Sequence, residues 1–204
     1  MDTPRDLPDE FVWHIQSPEA SYLSHSDPIR QSGFSGGPER WRAERGPILE
    51  AIDGDGDLLD VGCANGYLLE CLLAWAEEQG RPLVPYGVDI NPGIIEEARR
   101  RLPIFAHHFW VANAWEWMPP RQFTYVYALH DSVPATFLEE YVRRLLNRAV
   151  EPGGRLIVGA YGNRSRNEPP LPVADTLRDY GCKVTGSATG GEPPVTSFAW
   201  MDKI

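Results

Sequence analysis

The sequence predicts an α/β domain with a doubly wound, mostly parallel sheet and helices on both of its faces. Two observations lead to this class. From residue 57 onward, short apolar, β-prone segments alternate with helical ones, and glycine or proline turn signals separate them. Residues 1–56 are different, because turn signals are dense there and most of the apolar side chains are aromatic. We therefore expect a core domain over residues 57–204 and an N-terminal arm and cap helix over residues 1–56.

The predicted strands are short runs rich in branched and aromatic side chains, which favour a half-buried pleated surface. The first is a buried run that ends in an acid, and the last two follow a helix that a glycine stops. Seven such runs occur, over residues 58–61, 84–89, 105–112, 123–129, 155–160, 183–187 and 196–201. Ligands sit at the carboxyl ends of strands in sheets of this kind, so the loops after the strands are the first places to search for a site.

The predicted helices have apolar residues at three- and four-residue spacing. Asn91 and Pro92 supply a cap and a first-turn proline for one of them, and Gly80 stops another. In the arm, Gly46 and Pro47 should kink or split the helical segment that contains them. The helical segments cover residues 38–52, 65–79, 92–102, 134–149 and 171–180.

Composition excludes several classes of protein. Acids outnumber bases by 29 to 19, and the net charge of −10 disfavours a nucleic-acid partner or an anionic membrane surface. No apolar run is long enough to span a bilayer. The three cysteines form no closely spaced pair and the first residues are acidic rather than signal-like, so we expect a cytoplasmic protein with no disulfide framework and no metal site.

The loop after the first strand carries the first candidate site, since an acid is followed by a glycine-containing turn and a helix N-terminus over residues 60–66. Glycine lets the backbone approach a ligand closely, and the helix start offers free N–H groups. The spacing typical of dinucleotide loops places Gly62, Ala64 and Tyr67 at its three glycine positions, which disfavours a pyrophosphate ligand and a nicotinamide dehydrogenase. An empty tight turn is the alternative.

The loop after the second strand carries an acid, Asp89, which follows Gly62 by 27 residues. A carboxylate at this place can accept hydrogen bonds from both hydroxyls of a ribose. A solvated acid at a strand end is the alternative, but the two loops together are more specific than either alone.

These motifs, together with Asn113-Ala114 after the third strand and Pro152-Gly153-Gly154 before the fifth, resemble the class I (Rossmann-like) S-adenosylmethionine-dependent methyltransferases. The resemblance covers residues 57–204. It implies a seven-stranded sheet with an antiparallel last strand, S-adenosylmethionine as cofactor, and an enzyme that transfers its methyl group.

The resemblance also implies roles for single residues. Asp60 would lie beneath the glycine loop near the cofactor's ammonium group, Asp89 would hold the ribose, and Asn113 would face the adenine edge. Ala64 stands where the family often has a glycine, and Trp41 would either reach over the cofactor or only anchor the arm. The implied cofactor-binding residues are Trp41, Asp60, Gly62, Cys63, Ala64, Gly66, Asp89, Ile90, Asn113, Ala114 and Leu129.

Acceptor-side residues should follow the fourth and fifth strands or lie on the arm. His130 and Asp131 come directly after the fourth strand, so His130 is the candidate general base, oriented by a carboxylate. A histidine bonded to backbone is the alternative. His14, Tyr22 and Tyr161 are weaker candidates for substrate binding.

The acceptor is expected to be a small or medium organic molecule, methylated on O or N, with the arm as a substrate lid. The loop after the fourth strand lacks the motif of adenine or glutamine amide methylation, and no cysteine stands there for attack on a pyrimidine. Arg164 and Arg166 form a basic loop that we interpret as solvated, with a phosphate site as the alternative. The arm holds net −6 of the charge, which favours a neutral or cationic acceptor. A peptide, carrier-bound or tRNA acceptor and a non-catalytic nucleoside binder are the alternatives.

Overall fold

The computed structural model describes residues 23–204. Its centre is a seven-stranded sheet in the order β3-β2-β1-β4-β5-β7-β6. Strands β1 to β5 pair in parallel, whereas β7 runs antiparallel to both of its neighbours. The strands are β1 Gly56–Val61, β2 Leu83–Asp89, β3 Phe109–Val111, β4 Phe123–Leu129, β5 Val150–Tyr161, β6 Gly186–Gly190 and β7 Thr196–Asp202. The expected fold class, with its antiparallel last strand, is confirmed.

Six α-helices of the described residues surround the sheet: α1 Pro28–Gln31, α2 Pro38–Arg45, α3 Tyr67–Glu77, α4 Pro92–Arg101, α5 Leu138–Arg148 and α6 Val173–Asp179. Short 3-10 helices lie at Gly46–Ala51, Pro103–His108, His130–Ser132, Ala135–Phe137 and Arg164–Arg166. The expected break at Gly46-Pro47 is confirmed, because α2 ends at Arg45 and a 3-10 helix follows.

The third strand is much shorter than predicted. Only Phe109–Val111 pair with β2, while Pro103–His108 form a 3-10 helix. Proline at residue 103 favours this turn because its ring fixes φ. The His108 ring stacks on Tyr86 at 4.0 Å and its Nδ1 lies 3.0 Å from the carbonyl oxygen of Pro85, so the segment is fixed by side-chain contacts.

The boundaries of β5 and β6 also differ from prediction, and the helix predicted over residues 134–149 begins only at Leu138. Strand β5 begins at Val150, and the predicted turn over residues 151–154 is a bulge within it, because Phe123 pairs with Val150 and Tyr125 with Arg155. Strand β6 covers Gly186–Gly190 rather than 183–187, since its pairing with β7 runs from Gly186 opposite Trp200 to Gly190 opposite Thr196.

Part of the predicted arm is built into the core. Ile48, Ala51 and Ile52 are fully buried in the cluster that covers one face of the sheet. Helix α2 is also tied to the end of the sheet, because the Thr196 hydroxyl donates to the carbonyl of Glu44 at 2.9 Å. The second half of the described arm is therefore a fixed wall beside the strand ends.

Within residues 23–204, no helix has both the length and the apolar character that crossing a bilayer requires.

Candidate functional site

A cavity of about 840 Å³ opens at the carboxyl ends of β1, β4 and β5. This volume is typical of small-molecule sites, which span roughly 300–1,000 Å³. One wall comes from the strand ends and the loops after them, and the opposite wall from the arm. The lining residues are Ser32–Ser35, Arg40, Trp41, Glu44, Arg45, Asp60, Gly62–Asn65, Leu68, Tyr127, Leu129, Asp131, Tyr161–Arg166, Val195 and Thr196.

The loop after β1 forms the strand-end wall with its backbone. Gly62 has φ +90°, and its N–H donates to the carbonyl of Val88 at 2.8 Å. A side chain at Gly62 would meet only the Ser132 hydroxyl, at 3.7 Å. The positive φ rather than crowding therefore explains this glycine. Ala64 also has a positive φ, +47°, which is uncommon for a residue with a side chain.

Gly66 has a different role from Gly62, although the resemblance implies the same one. It caps helix α3 with φ +73° and does not line the cavity. A Cβ atom at Gly66 would lie 3.1 Å from that of Ala98 on α4. Gly66 is thus required by the close approach of two helices.

Asp89 lies behind the glycine loop at the end of β2. Its two carboxylate oxygens accept hydrogen bonds from the backbone N–H groups of Ala64 and Asn91, each at 3.0 Å. Burial raises the pKa of this carboxyl, and the backbone hydrogen bonds oppose that rise. Asp89 therefore fixes the shape of the loop after β1.

Asp60, at the carboxyl end of β1, lines the cavity and is 3% exposed. No hydrogen bond from a described residue reaches its carboxyl group. Burial and the nearby charge of Asp89 raise its pKa to about 8. A cationic group placed in the cavity beside Asp60 would stabilise the ionised form.

The residues expected beside adenine lie outside this cavity's lining. Ile90, Asn113 and Ala114 are half-buried. The side-chain oxygen of Asn113 accepts from the backbone N–H of Trp115 at 2.9 Å, which shapes the turn after β3. The Trp115 ring packs edge-on against Phe137 at 5.4 Å, so its contact is with the surrounding core.

Only some of the residues expected on the acceptor side line the cavity. Asp131 lines the cavity, and the neighbouring His130 is half-buried on the 3-10 turn without lining it. Tyr161 lines the cavity, and its hydroxyl lies 2.7 Å from that of Tyr127. Leu129 and Trp41 also line it. The remaining two candidates, His14 and Tyr22, lie outside the described residues.

A buried charge cluster on the arm wall was missed by sequence reasoning. Glu44 is 3% exposed, and its Oε1 accepts from Arg40 at 2.8 Å and from Arg164 at 3.1 Å. Arg164 is exposed, as the interpretation of a solvated loop expects, but it also pairs with the buried Glu44, and Arg166 is exposed and pairs with Glu168. The four-residue spacing of Arg40 and Glu44 on α2 was a visible signal, but nothing in the sequence indicates the contact with Arg164, 120 residues away.

Arg45 completes this wall and is 6% exposed. Its guanidinium carbon lies 3.6 Å from the centre of the Tyr161 ring and 5.0 Å from those of Phe34 and Trp41. Its Nη1 is 3.4 Å from Glu44, and its Nε has no hydrogen-bond partner among the described residues. Within residues 23–204, no group of three or more histidine, cysteine or acidic side chains is arranged to hold a metal.

Comparison with known proteins places this geometry in context. No protein-family model matches the chain. A segment of 53 residues, 26% of the chain, is 43% identical to aklanonic acid methyltransferase DauC of Streptomyces sp. strain C5, and the match spans 22% of that protein.

Solved structures resemble the chain over most of its length. The 1,6-didemethyltoxoflavin-N1-methyltransferase of Burkholderia thailandensis, solved with 1,6-didemethyltoxoflavin and S-adenosylhomocysteine, matches with TM-score 0.62 and 16% identity over 100% of this chain and 93% of that one. A methyltransferase of Aquifex aeolicus, described as S-adenosylmethionine-dependent, matches with TM-score 0.60 and 15% identity over 93% of this chain and all of that one.

The same fold also occurs in the [4+2]-cyclase SpnF, with TM-score 0.56 and 15% identity over 78% of this chain and 79% of that one. Fold alone therefore does not fix the reaction. The chain has the fold of the class I S-adenosylmethionine-dependent methyltransferases, in agreement with the family that its sequence motifs resemble.

Proposed function

We propose that the protein is an S-adenosylmethionine-dependent methyltransferase that methylates an O or N atom of a small or medium organic acceptor. The observation that carries the proposal is the cavity of about 840 Å³, which joins the glycine loop after β1 to the loops after β4 and β5 under the arm. Cofactor and acceptor must meet in one space for direct transfer, and this cavity is lined both by the loop expected to hold the methionine end and by loops expected on the acceptor side.

The residues of the glycine loop fit the methionine end of the cofactor. Asp60 offers a buried carboxyl without a hydrogen-bond partner among the described residues, which complements an ammonium group. Gly62 and Ala64 have at most a methyl side chain, so they expose their backbone to a ligand in the cavity, and Cys63 lies between them. Leu129, which also lines the cavity, would lie at the methyl end of the cofactor. Asp89, Ile90, Asn113 and Ala114 would hold the adenosine part. The bound cofactor supplies an electrophilic methyl group on a sulfonium.

The chain's own residues position the acceptor and exclude water. Trp41 is 3% exposed and Phe34 is 8% exposed, and their rings pack edge-to-face at 5.3 Å in the cavity wall. A dry wall strengthens electrostatic contacts inside the site. When the acceptor atom must lose a proton, His130 and Asp131 are the proposed base and its orienting group, because they directly follow β4.

A small acceptor agrees with the arm wall, because eight residues of the arm between Ser32 and Arg45 line the cavity. The two neighbours with named substrates act on toxoflavin-type and aklanonic-acid-type molecules, which supports the same acceptor class for this chain. A peptide, carrier-bound or tRNA acceptor would need an open groove in place of this wall.

A second candidate function follows from the cyclase neighbour, whose fold supports a reaction other than methylation. The protein would then bind the cofactor or a nucleoside without transferring its methyl group.

Transfer of a labelled methyl group tests both candidates. The purified protein is incubated with S-adenosylmethionine carrying a labelled methyl group and with separate small-molecule, protein and RNA fractions of a bacterial extract. We expect label in the small-molecule fraction, whereas label in protein or RNA would reverse the acceptor class. Binding of S-adenosylhomocysteine and of NAD is measured by calorimetry alongside the transfer assay. Binding of S-adenosylhomocysteine without methyl transfer to any fraction supports the non-catalytic candidate. Binding of NAD alone contradicts both candidate functions.

A further inference from the structure

We propose that Arg45 anchors a carboxylate-binding subsite at the arm end of the cavity, an inference that rests on the proposed function of this site. The shared chemistry is a carboxylate on one of the ligands that the cavity takes. Its two sources are the acceptor and the methionine part of the cofactor.

The charge of Arg45 is poorly compensated within the protein. Glu44 is its ion-pair partner, but the Oε1 atom of Glu44 already binds Arg40 and Arg164 at 2.8 and 3.1 Å. The contact of Arg45 with the other oxygen is the longest of the three, at 3.4 Å. A buried cation that shares one carboxylate with two others is costly, and a ligand anion would offset that cost.

The guanidinium of Arg45 is also held in a fixed orientation. Tyr161 lies under it at 3.6 Å, and Phe34 and Trp41 flank it at 5.0 Å. Stacking on aromatic rings leaves the edge of the guanidinium plane for hydrogen bonds, and its Nε has no partner among the described residues. A planar carboxylate matches such an edge with two parallel hydrogen bonds.

The charge of the whole lining supports an anionic ligand. Four arginines line the cavity, at residues 40, 45, 164 and 166, against the three carboxyl groups of Glu44, Asp60 and Asp131. Asp60 has its pKa raised to about 8, so it is largely neutral at pH 7. Among the described acids of the arm, Glu44 alone lines the cavity, so the acid excess of the arm does not favour a neutral or cationic acceptor.

The position of Arg45 favours the acceptor as the source. It contacts Tyr161 at the end of β5 and Phe34 on the arm, the two places where acceptor-side residues are expected. The methionine carboxylate is the other source and would bring the amino-acid end of the cofactor toward the arm.

The test is calorimetric and compares matched probes that differ by one carboxylate. One arm uses 2-naphthoate and 2-naphthamide, with and without S-adenosylhomocysteine. The other uses S-adenosylhomocysteine and its decarboxylated analogue. The proteins are the wild type, Arg45→Met, Arg45→Lys and the control Arg42→Gln, which removes a cation from the same helix outside the cavity.

We expect the wild type and Arg42→Gln to prefer 2-naphthoate over 2-naphthamide by about tenfold or more, since a hydrogen bond to a charged group has this effect. Arg45→Met should abolish that preference. Arg45→Lys should reduce it, because an ammonium group cannot form the two parallel hydrogen bonds that a guanidinium group makes to a carboxylate. Loss in the naphthoate arm supports the subsite and assigns it to the acceptor, whereas loss in the cofactor arm alone overturns the inference, because Arg45 would then bind only the cofactor's own carboxylate.

The inference is overturned when the wild type prefers the carboxylate in neither arm, or when Arg45→Met keeps the wild-type preference. Circular dichroism tests whether each variant is folded. If Arg45→Met is unfolded, the wild type is compared with Arg45→Lys instead. The naphthoate arm without cofactor decides the inference on its own. Failure of the proposed function is separate, because it would show as absent binding of S-adenosylhomocysteine by the wild type.

Discussion

The two walls of the cavity are built by different means. The strand-end wall consists mainly of backbone in the loop after β1, where Gly62 and Ala64 adopt positive φ and Asp89 fixes the loop by accepting the N–H of Ala64. The arm wall consists of side chains, with Arg45 stacked on Tyr161 and Glu44 joined to Arg164. A wall of backbone needs particular residue types at a fixed local spacing, whereas a wall of side chains needs partners that are distant in sequence.

The largest expected effect tests the arm wall. Glu44→Gln removes the carboxylate that three arginines share, and we expect the free energy of unfolding to fall by about 3 kcal/mol, because the buried Arg45 loses its charged partner. Urea denaturation measures the change. The matched control is Glu78→Gln, which breaks the exposed pair with Arg42 and should leave stability unaltered. Equal effects of the two changes would show that the Glu44 cluster does not hold the arm.

The next effect tests the acceptor side of the strand ends. His130→Ala should lower turnover by about 100-fold while the affinity for S-adenosylhomocysteine persists, because a general base acts only in the transfer step. Steady-state kinetics with the true acceptor and calorimetry measure the two quantities. His107→Ala, an exposed histidine on the 3-10 helix before β3, is the control. Unchanged turnover of His130→Ala would refute the role as base.

Two glycines of the loop after β1, of which only Gly62 lines the cavity, provide a third comparison. Gly66→Ala should destabilise the fold by about 2 kcal/mol, because φ is +73° and the new methyl would lie 3.1 Å from the Ala98 side chain. Gly62→Ala, with open space around it, should cost about 1 kcal/mol and mainly weaken binding of the cofactor. Thermal unfolding and calorimetry on both variants check this division, and equal destabilisation would contradict it.

The last prediction concerns the pH dependence of stability rather than stability at one pH. Asp60 has a pKa raised from 3.8 to about 8, so the folded state binds its proton more tightly than the unfolded state. The stability this provides is full below about pH 4 and is lost as pH rises to about 8. Asp60→Asn should therefore gain stability relative to the wild type across this window and stay constant above it. Urea denaturation at several pH values measures the difference, and a pH-independent difference would contradict the raised pKa.

The sequence was sufficient for the fold and for the backbone wall, because turn glycines and strand-end acids such as Gly62 and Asp89 follow local rules. It was less informative for β3, where contacts of His108 with Tyr86 and Pro85 override a β-prone run. The arm wall could not be predicted, because the pairing of Glu44 with Arg164 depends on how the arm packs over β5 and β7. Arg45 is unremarkable in the sequence and becomes informative only when its buried surroundings are known.

A crystal structure of the protein with S-adenosylhomocysteine tests the central claim most directly. The account predicts the amino-acid part of the ligand in the cavity, beside Asp60 and the backbone of Gly62, with Trp41 and Arg45 across from it and free volume left for an acceptor. A ligand bound outside this cavity, or a cavity that the bound ligand fills up to Tyr161 without space for an acceptor, would contradict it.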